Sequence, residues 1–250
     1  MKTRHHVFLF AATAAFLTGL FALQPALAQS FTLDLGDGTS ATTRIVQIIA
    51  LTTVLSLAPS LLMMVTSFTR IVIVLGFIRT AMGTQQTPPT QVIVGLALFL
   101  TLFVMTPTFE AAYEQGIQPL MDGELEEVEA MERAIVPFHQ FMSKHVRRED
   151  LALFMDLSGA EIGETIEDVP LKALIPAFMI SEIRRAFEIG FLLFVPFLII
   201  DMVVASVLMS MGMMMLPPII VALPFKIIFF VLVDGWHLVA GSLVKSFGAS

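Results

Sequence analysis

Four charged residues crowd the start of an otherwise apolar stretch: Glu182, Arg184, Arg185 and Glu188. On a helix, Arg184 and Glu188 form an i,i+4 pair, and Glu182 and Arg185 an i,i+3 pair. Local salt bridging is their plainest use. Asp201 and Lys226 differ. Neither has an opposite charge within four residues, and each lies inside an apolar run. Charges in hydrocarbon are expensive and face partners or a water path. If the chain turns between Met213 and Met214, both lie 12 or 13 residues from the bend. An antiparallel hairpin would place them at similar depth. They can pair with each other, or one of them with Glu182 of a neighbouring subunit, and either pairing would fix register in an assembly.

Between these two charges lies a cluster of soft side chains. Met209, Met211, Met213, Met214 and Met215 are five of the chain's 16 methionines, within seven residues. Gly212, Pro217 and Pro218 interrupt regular helix around them. A packed core favours Leu, Ile or Val, whose rotamers specify packing. Methionine is unbranched and adaptable, which suits a surface that must seal and later reshape. The plainer reading is a hydrophobic turn that dips into lipid or a core, with Met as gap-filler.

Other chemistry finds no residues. Cysteine is absent, which excludes disulfides, thiolate catalysis and cysteine metal sites. No H-E-x-x-H, G-x-S-x-G or G-x-x-x-x-G-K-[ST] occurs. His5, His6, His139, His145 and His237 lack metal-ligand spacing with carboxylates, and no nucleophile accompanies His237 near Asp234. No enzyme, metal or cofactor is expected. A net charge of −7 argues against nucleic-acid binding, which needs clustered Lys and Arg.

The elements that hold these residues must be membrane helices. The 250 residues are 56% hydrophobic and 14% charged, against about a quarter charged in soluble domains. Residues 1–28 read as a cleaved signal peptide: Lys2 and Arg4, an apolar run from 7 to 23, then Ala26-Leu27-Ala28. An uncleaved first helix is the alternative. Residues 29–44 make a short extracytoplasmic segment. Apolar stretches follow at 45–65, extended by 71–78, at 92–105, at 186–209 and at 219–233. The first reaches about 30 Å at 1.5 Å per residue, one hydrocarbon core, and Pro59 predicts a kink. Residues 45–109 form a first helical hairpin and 181–250 a second, with the Met-rich bend and a tail around Lys245.

Residues 110–180 make an acidic lobe, with 15 of the 21 acidic residues between 110 and 168. Leu125, Val128, Met131 and Ile135, then Phe138, Phe141, Met142 and His145, recur at helical spacing. The loop bearing Arg70 and Arg79, basic and free of acids, suits the cytoplasmic side, and the lobe then lies outside. Arg184 and Arg185 fit that scheme poorly, which suggests spans packed in a protein assembly rather than in lipid. The expected fold is all-α: integral-membrane helical hairpins with kinked helices and a small helical extracytoplasmic lobe.

Several ordered motifs resemble one family. In the first half these are Leu57-Ala58-Pro59, Thr66-Ser67-Phe68-Thr69-Arg70 and Gly83-Thr84-Gln85-Gln86-Thr87-Pro88-Pro89. In the second they are Ile175-Pro176-Ala177-Phe178, Phe187-Glu188-Ile189-Gly190-Phe191, Ile200-Asp201-Met202-Val203, Met209 to Pro218, Leu223-Pro224-Phe225-Lys226 and Leu232-Val233-Asp234-Gly235-Trp236. They run through nearly all of the chain after residue 28 and resemble the FliP family of flagellar type III export gates; the acidic lobe matches least. The resemblance implies a ring of five such subunits with FliQ and FliR subunits in the inner (cell) membrane, at the centre of the flagellar basal body. It also implies other export-gate membrane components as neighbours and unfolded flagellar proteins as substrates. The five methionines would line a closed constriction. Injectisome gate subunits share the architecture and are the related alternative. A small-solute or ion channel, with Asp201 and Lys226 on its path, is the alternative of another class. An intramembrane hydrolase is a third, without a nucleophile motif.

Overall fold

The computed structural model describes residues 39–84, 86–159, 169–213 and 215–248. The expected signal peptide and Met214 lie outside the described residues. The chain divides into two compact units, Met1–Val54 and Leu55–Ser250. Of the first, the described part is helical, the front of α1 (Thr39–Met64), with Ile45, Val46, Ile48 and Ile49 exposed. Everything that follows concerns the second unit.

After α1 a tight turn leads to α2 (Phe68–Ala81). Phe68, Ile71, Val74, Leu75, Ile78 and Ala81 recur every three or four residues and are all buried, the stripe of a core helix. Gly83, at φ 77°, turns the chain out of α2, and Pro88 and Pro89 lead into α3 (Thr90–Ala112). A π-helical turn (Tyr113–Ile117) and one last α turn, α4 (Gln118–Met121), prolong α3. Gly116 is required there. A Cβ on it would come within 2.5 Å of the Ala130 carbonyl of the next helix.

The lobe consists of α5 (Glu127–His145) and α6 (Arg148–Ser158). Its burial corrects a reading of periodicity. Val128, Met131 and Ile135 are exposed, whereas Ala130, Pro137, Met142 and His145 are buried. Small Ala130 and Ala134 let the π turn approach, so the inner face near Gly116 is the less hydrophobic one.

Helix α7 (Leu171–Ser210) has 40 residues and starts well before the apolar stretch expected from 186. Pro170 caps it, and residues 171–185 carry a buried face through Ala173, Leu174, Ala177, Phe178, Ser181 and Glu182. The expected lobe boundary at 180 thus falls inside a helix. At 1.5 Å per residue α7 is about 60 Å long, twice a hydrocarbon core. Gly212, at φ 73°, opens the bend, and Pro217 and Pro218 start α8 (Pro218–Leu232). Asp234, at φ 50°, then breaks the chain by 62° into α9 (Gly235–Lys245). The expected tail is therefore a helix. Val239, Leu243 and the following Phe247 join the core of α2, α3 and α7.

Among the described residues there is no strand, so the fold is all-α. Helical segments Thr90–Met121 and Leu171–Ser210 are long and apolar enough to cross a membrane, and the bent pair α8–α9 passes the same test together.

Candidate functional site

The hairpin of α7 and α8 carries the first group of candidate residues. Lys226 Nζ lies 2.6 Å from Asp201 Oδ2 across the two arms. It also donates to the Ala81 carbonyl at 3.2 Å. That carbonyl belongs to the last turn of α2, where the helix dipole favours a cation. One ammonium thus joins three helices. Lys226 is buried, while the Asp201 side chain keeps 29% exposure, and its Oδ1 has no partner.

At the tip the pattern of burial inverts. Met209, Met211, Met213 and Met215 are all exposed, Met215 at 98%. Leu216, Ile219 and Ile220 beside them are exposed too. The arms behave alike: Met202, Val203, Val207, Ile228, Val231 and Leu232 face outward. Burying one such side chain is worth about 1.5–3 kcal/mol, so this hairpin is built to meet lipid or other protein.

The second group gathers at the other end of α7. Arg184 and Glu188 pair at 3.1 Å on the surface, as an i,i+4 pair should. Glu182 does not turn to Arg185. Both its oxygens go to Arg70 of α2, with Nε to Oε2 at 2.8 Å, and the two side chains are 1% and 0% exposed. Arg70 was expected as a loop charge that marks the cytoplasmic side. Buried in protein, it cannot orient the chain against lipid, so that argument keeps only Arg79, which reaches Thr90 Oγ1 at 3.0 Å.

Two residues that sequence reasoning did not find, Ser246 and Phe247, complete the cluster with Phe141 and His145. Ser246 accepts from Arg70 Nη1 through Oγ at 3.0 Å and its carbonyl at 3.3 Å. The Phe247 ring lies 3.7 Å from the guanidinium carbon, a cation–π contact. Phe141 of the lobe stacks on Phe247, and the His145 ring lies 5.3 Å from it. Burial lowers the pKa of His145, against the pull of the Phe141 and Phe247 carbonyls that it faces. Arg147 and Asp150, at the start of α6, hold the lobe on α7 through Ser181. The Arg147 amide donates to Ser181 Oγ at 3.0 Å, and Ser181 donates to Asp150 at 2.7 Å. The sequence signals for this cluster were Glu182 at the start of an apolar stretch and Arg70 beside an apolar run with no acid nearby, with nothing to join the two.

Among the described residues no group of His, Asp and Glu could hold a metal ion. Long apolar helices, two internal ion pairs and an exposed methionine bend define a helical integral-membrane protein. The sequence model of the FliP family matches residues 51–243. The chain is 62% identical over 223 residues to the flagellar biosynthetic protein FliP of Caulobacter vibrioides, covering 89% of this chain and 84% of that one. It is 56% identical over 202 residues to the FliP of Bacillus subtilis, covering 81% and 91%. To that of Rhizobium meliloti it is 51% identical over 242 residues, covering 94% and 98%. The chain belongs to the FliP family, and is a membrane component of flagellar biosynthesis and protein export.

Proposed function

We propose that this chain is a pore-forming subunit of the flagellar export gate, and that unfolded flagellar proteins cross the inner membrane past its methionine bend. Copies of the chain, together with FliQ and FliR subunits, surround one axis in the basal body. Met209, Met211, Met213, Met214 and Met215 point toward it, and their thioethers close the conduit at rest. Gly212, Pro217 and Pro218 shape the bend. Soft unbranched side chains repack around a passing chain at little cost, which β-branched ones cannot do. Dry apolar constrictions block ions by dewetting. The Asp201–Lys226 pair sets the register of the hairpin arms, and its tie to the end of α2 holds the bend in place.

The observation that carries this reading is the exposure of the methionines at a tip whose two arms are joined by the internal Asp201–Lys226 pair. A turn meant only to fill a core would be covered. The pairing of Asp201 with Lys226, rather than with open water, favours the gate over a solute path. The test replaces Met213, Met214 and Met215 together by Ala. Assembled complexes should form at normal yield and pass ions in planar bilayers. A tight, fully assembled triple variant would overturn the gate assignment.

A further inference from the structure

The cluster around Arg70 has a feature that the gate does not use. His145 is 6% exposed, and its imidazole faces two carbonyls. Nδ1 lies 2.8 Å from the Phe141 carbonyl, and the ring packs against Phe247, whose carbonyl also favours the protonated ring. A neutral imidazole has one N–H and cannot serve both. A second proton would satisfy both carbonyls, but it would place a cation in a buried site already facing cations. Arg70 of α2 lies across the Phe247 ring, and Lys144 of α5 precedes the histidine. From α7, Glu182 has both oxygens on Arg70, and Arg185 adds a further positive charge near that pair. Among the described residues the charges acting on the ring are those of Arg70 and Lys144, both positive.

The part of this cluster held outside regular helix is the turn after α9. Residues 246–248 follow the last turn of α9 and are held by single-turn backbone bonds, Ser246 to Ser242 and Phe247 to Val244. Opening would take Phe247 off Arg70 and return His145 to water.

We infer that residues 246–248 form a proton-sensitive clasp: they cover the Arg70–Glu182 pair and join lobe to core while His145 is neutral, and they detach when it is protonated. The sign follows from linkage. The closed site binds the proton less readily than the open one, so closure is complete above the ordinary histidine value of about 6.5. Below it, opening gains at most about tenfold per pH unit, until the lowered pKa of the closed site is reached. With the clasp open, water reaches the Arg70–Glu182 pair, and the contacts of Phe141 and His145 with the chain end are lost.

The absence of cysteine makes the test clean. In the full chain purified in detergent, Ser246→Cys supplies the sole thiol. Its alkylation rate is taken from pH 7.5 to pH 5 and divided by the rate of the same thiol in a His145→Gln background, which removes the intrinsic pH dependence of the thiolate. The ratio should rise severalfold below pH 6.5. A flat ratio overturns the clasp. Hydrogen exchange on the unaltered chain gives a second measure that does not depend on either variant folding. Amides 246–248, corrected for intrinsic rates, should lose protection between pH 7.5 and pH 5. Retained protection overturns the proposal as firmly.

Discussion

The two ends of α7 follow opposite rules. Near Glu182 the most polar side chains are the most deeply covered: Arg70 and Glu182 retain 1% and 0% of their surface. At the bend the most apolar are the barest, up to 98% for Met215. Both invert ordinary burial, in which charges stay wet and large apolar groups go inside. The difference lies in who supplies the partner. Near Glu182 one chain supplies everything: an arginine from α2, an acid from α7, a hydroxyl, a carbonyl and an aromatic face from the chain end. At the bend one chain leaves large apolar side chains bare. The first end is complete within one chain, and under the proposed gate the second would be completed by neighbouring subunits.

The sharpest way to break this contrast is to remove one partner of the buried pair. Glu182→Ala leaves the Arg70 guanidinium buried without its counter-charge. That should cost about 3–5 kcal/mol, the usual penalty for orphaning a buried ion. Heating the purified full-length chain in detergent should show a large drop in melting temperature, or no folded yield. Replacing exposed methionines should leave melting unchanged. If Glu182→Ala melted like the wild type, the claim that this end is complete within one chain would fail.

The hairpin pair should give an intermediate effect. Lys226→Met keeps the length of the side chain and removes the charge. Asp201 is then unpaired, but its 29% exposure lets water share the load. A loss of about 1–3 kcal/mol is expected, smaller than at Glu182. Asp201→Asn in the same chain should recover part of it, because no bare charge remains. A double variant that loses the plain sum of the two single losses would show that the two side chains do not act as a pair.

How far these ends could be read beforehand follows from their geometry. A hairpin is local, and residue counts from its bend place Asp201 and Lys226 at one depth. The methionine run and its flanking Gly212, Pro217 and Pro218 stand side by side in the chain, so the bend was legible too. Arg70 and Glu182 are 112 residues apart, and nothing in either neighbourhood names the other. Periodicity gives a helix but not always its inner face. At α5 the close approach of Gly116 to Ala130 turned Val128 and Met131 outward. Hydropathy alone also missed the early start of α7, where Ser181 and Glu182 are buried because partners from α6 and α2 satisfy them.

The mildest variant separates burial from charge. Arg184 and Glu188 form an ion pair only one turn beyond Glu182, on the same helix, yet their side chains are 56% and 61% exposed. Water screens such a pair and competes for its hydrogen bonds, so its worth is about 0.3–0.5 kcal/mol. Arg184→Ala should therefore leave the melting of the isolated chain within error of the wild type. High salt should not change that result, because there is little Coulomb energy left to screen. The side chain is exposed, as the methionines are, so the same substitution is best read twice. Unchanged melting with reduced co-purification of the assembled complex would put Arg184 with the bend, among the groups that wait for a neighbour. Unchanged melting with full assembly would leave it as a solvated surface charge.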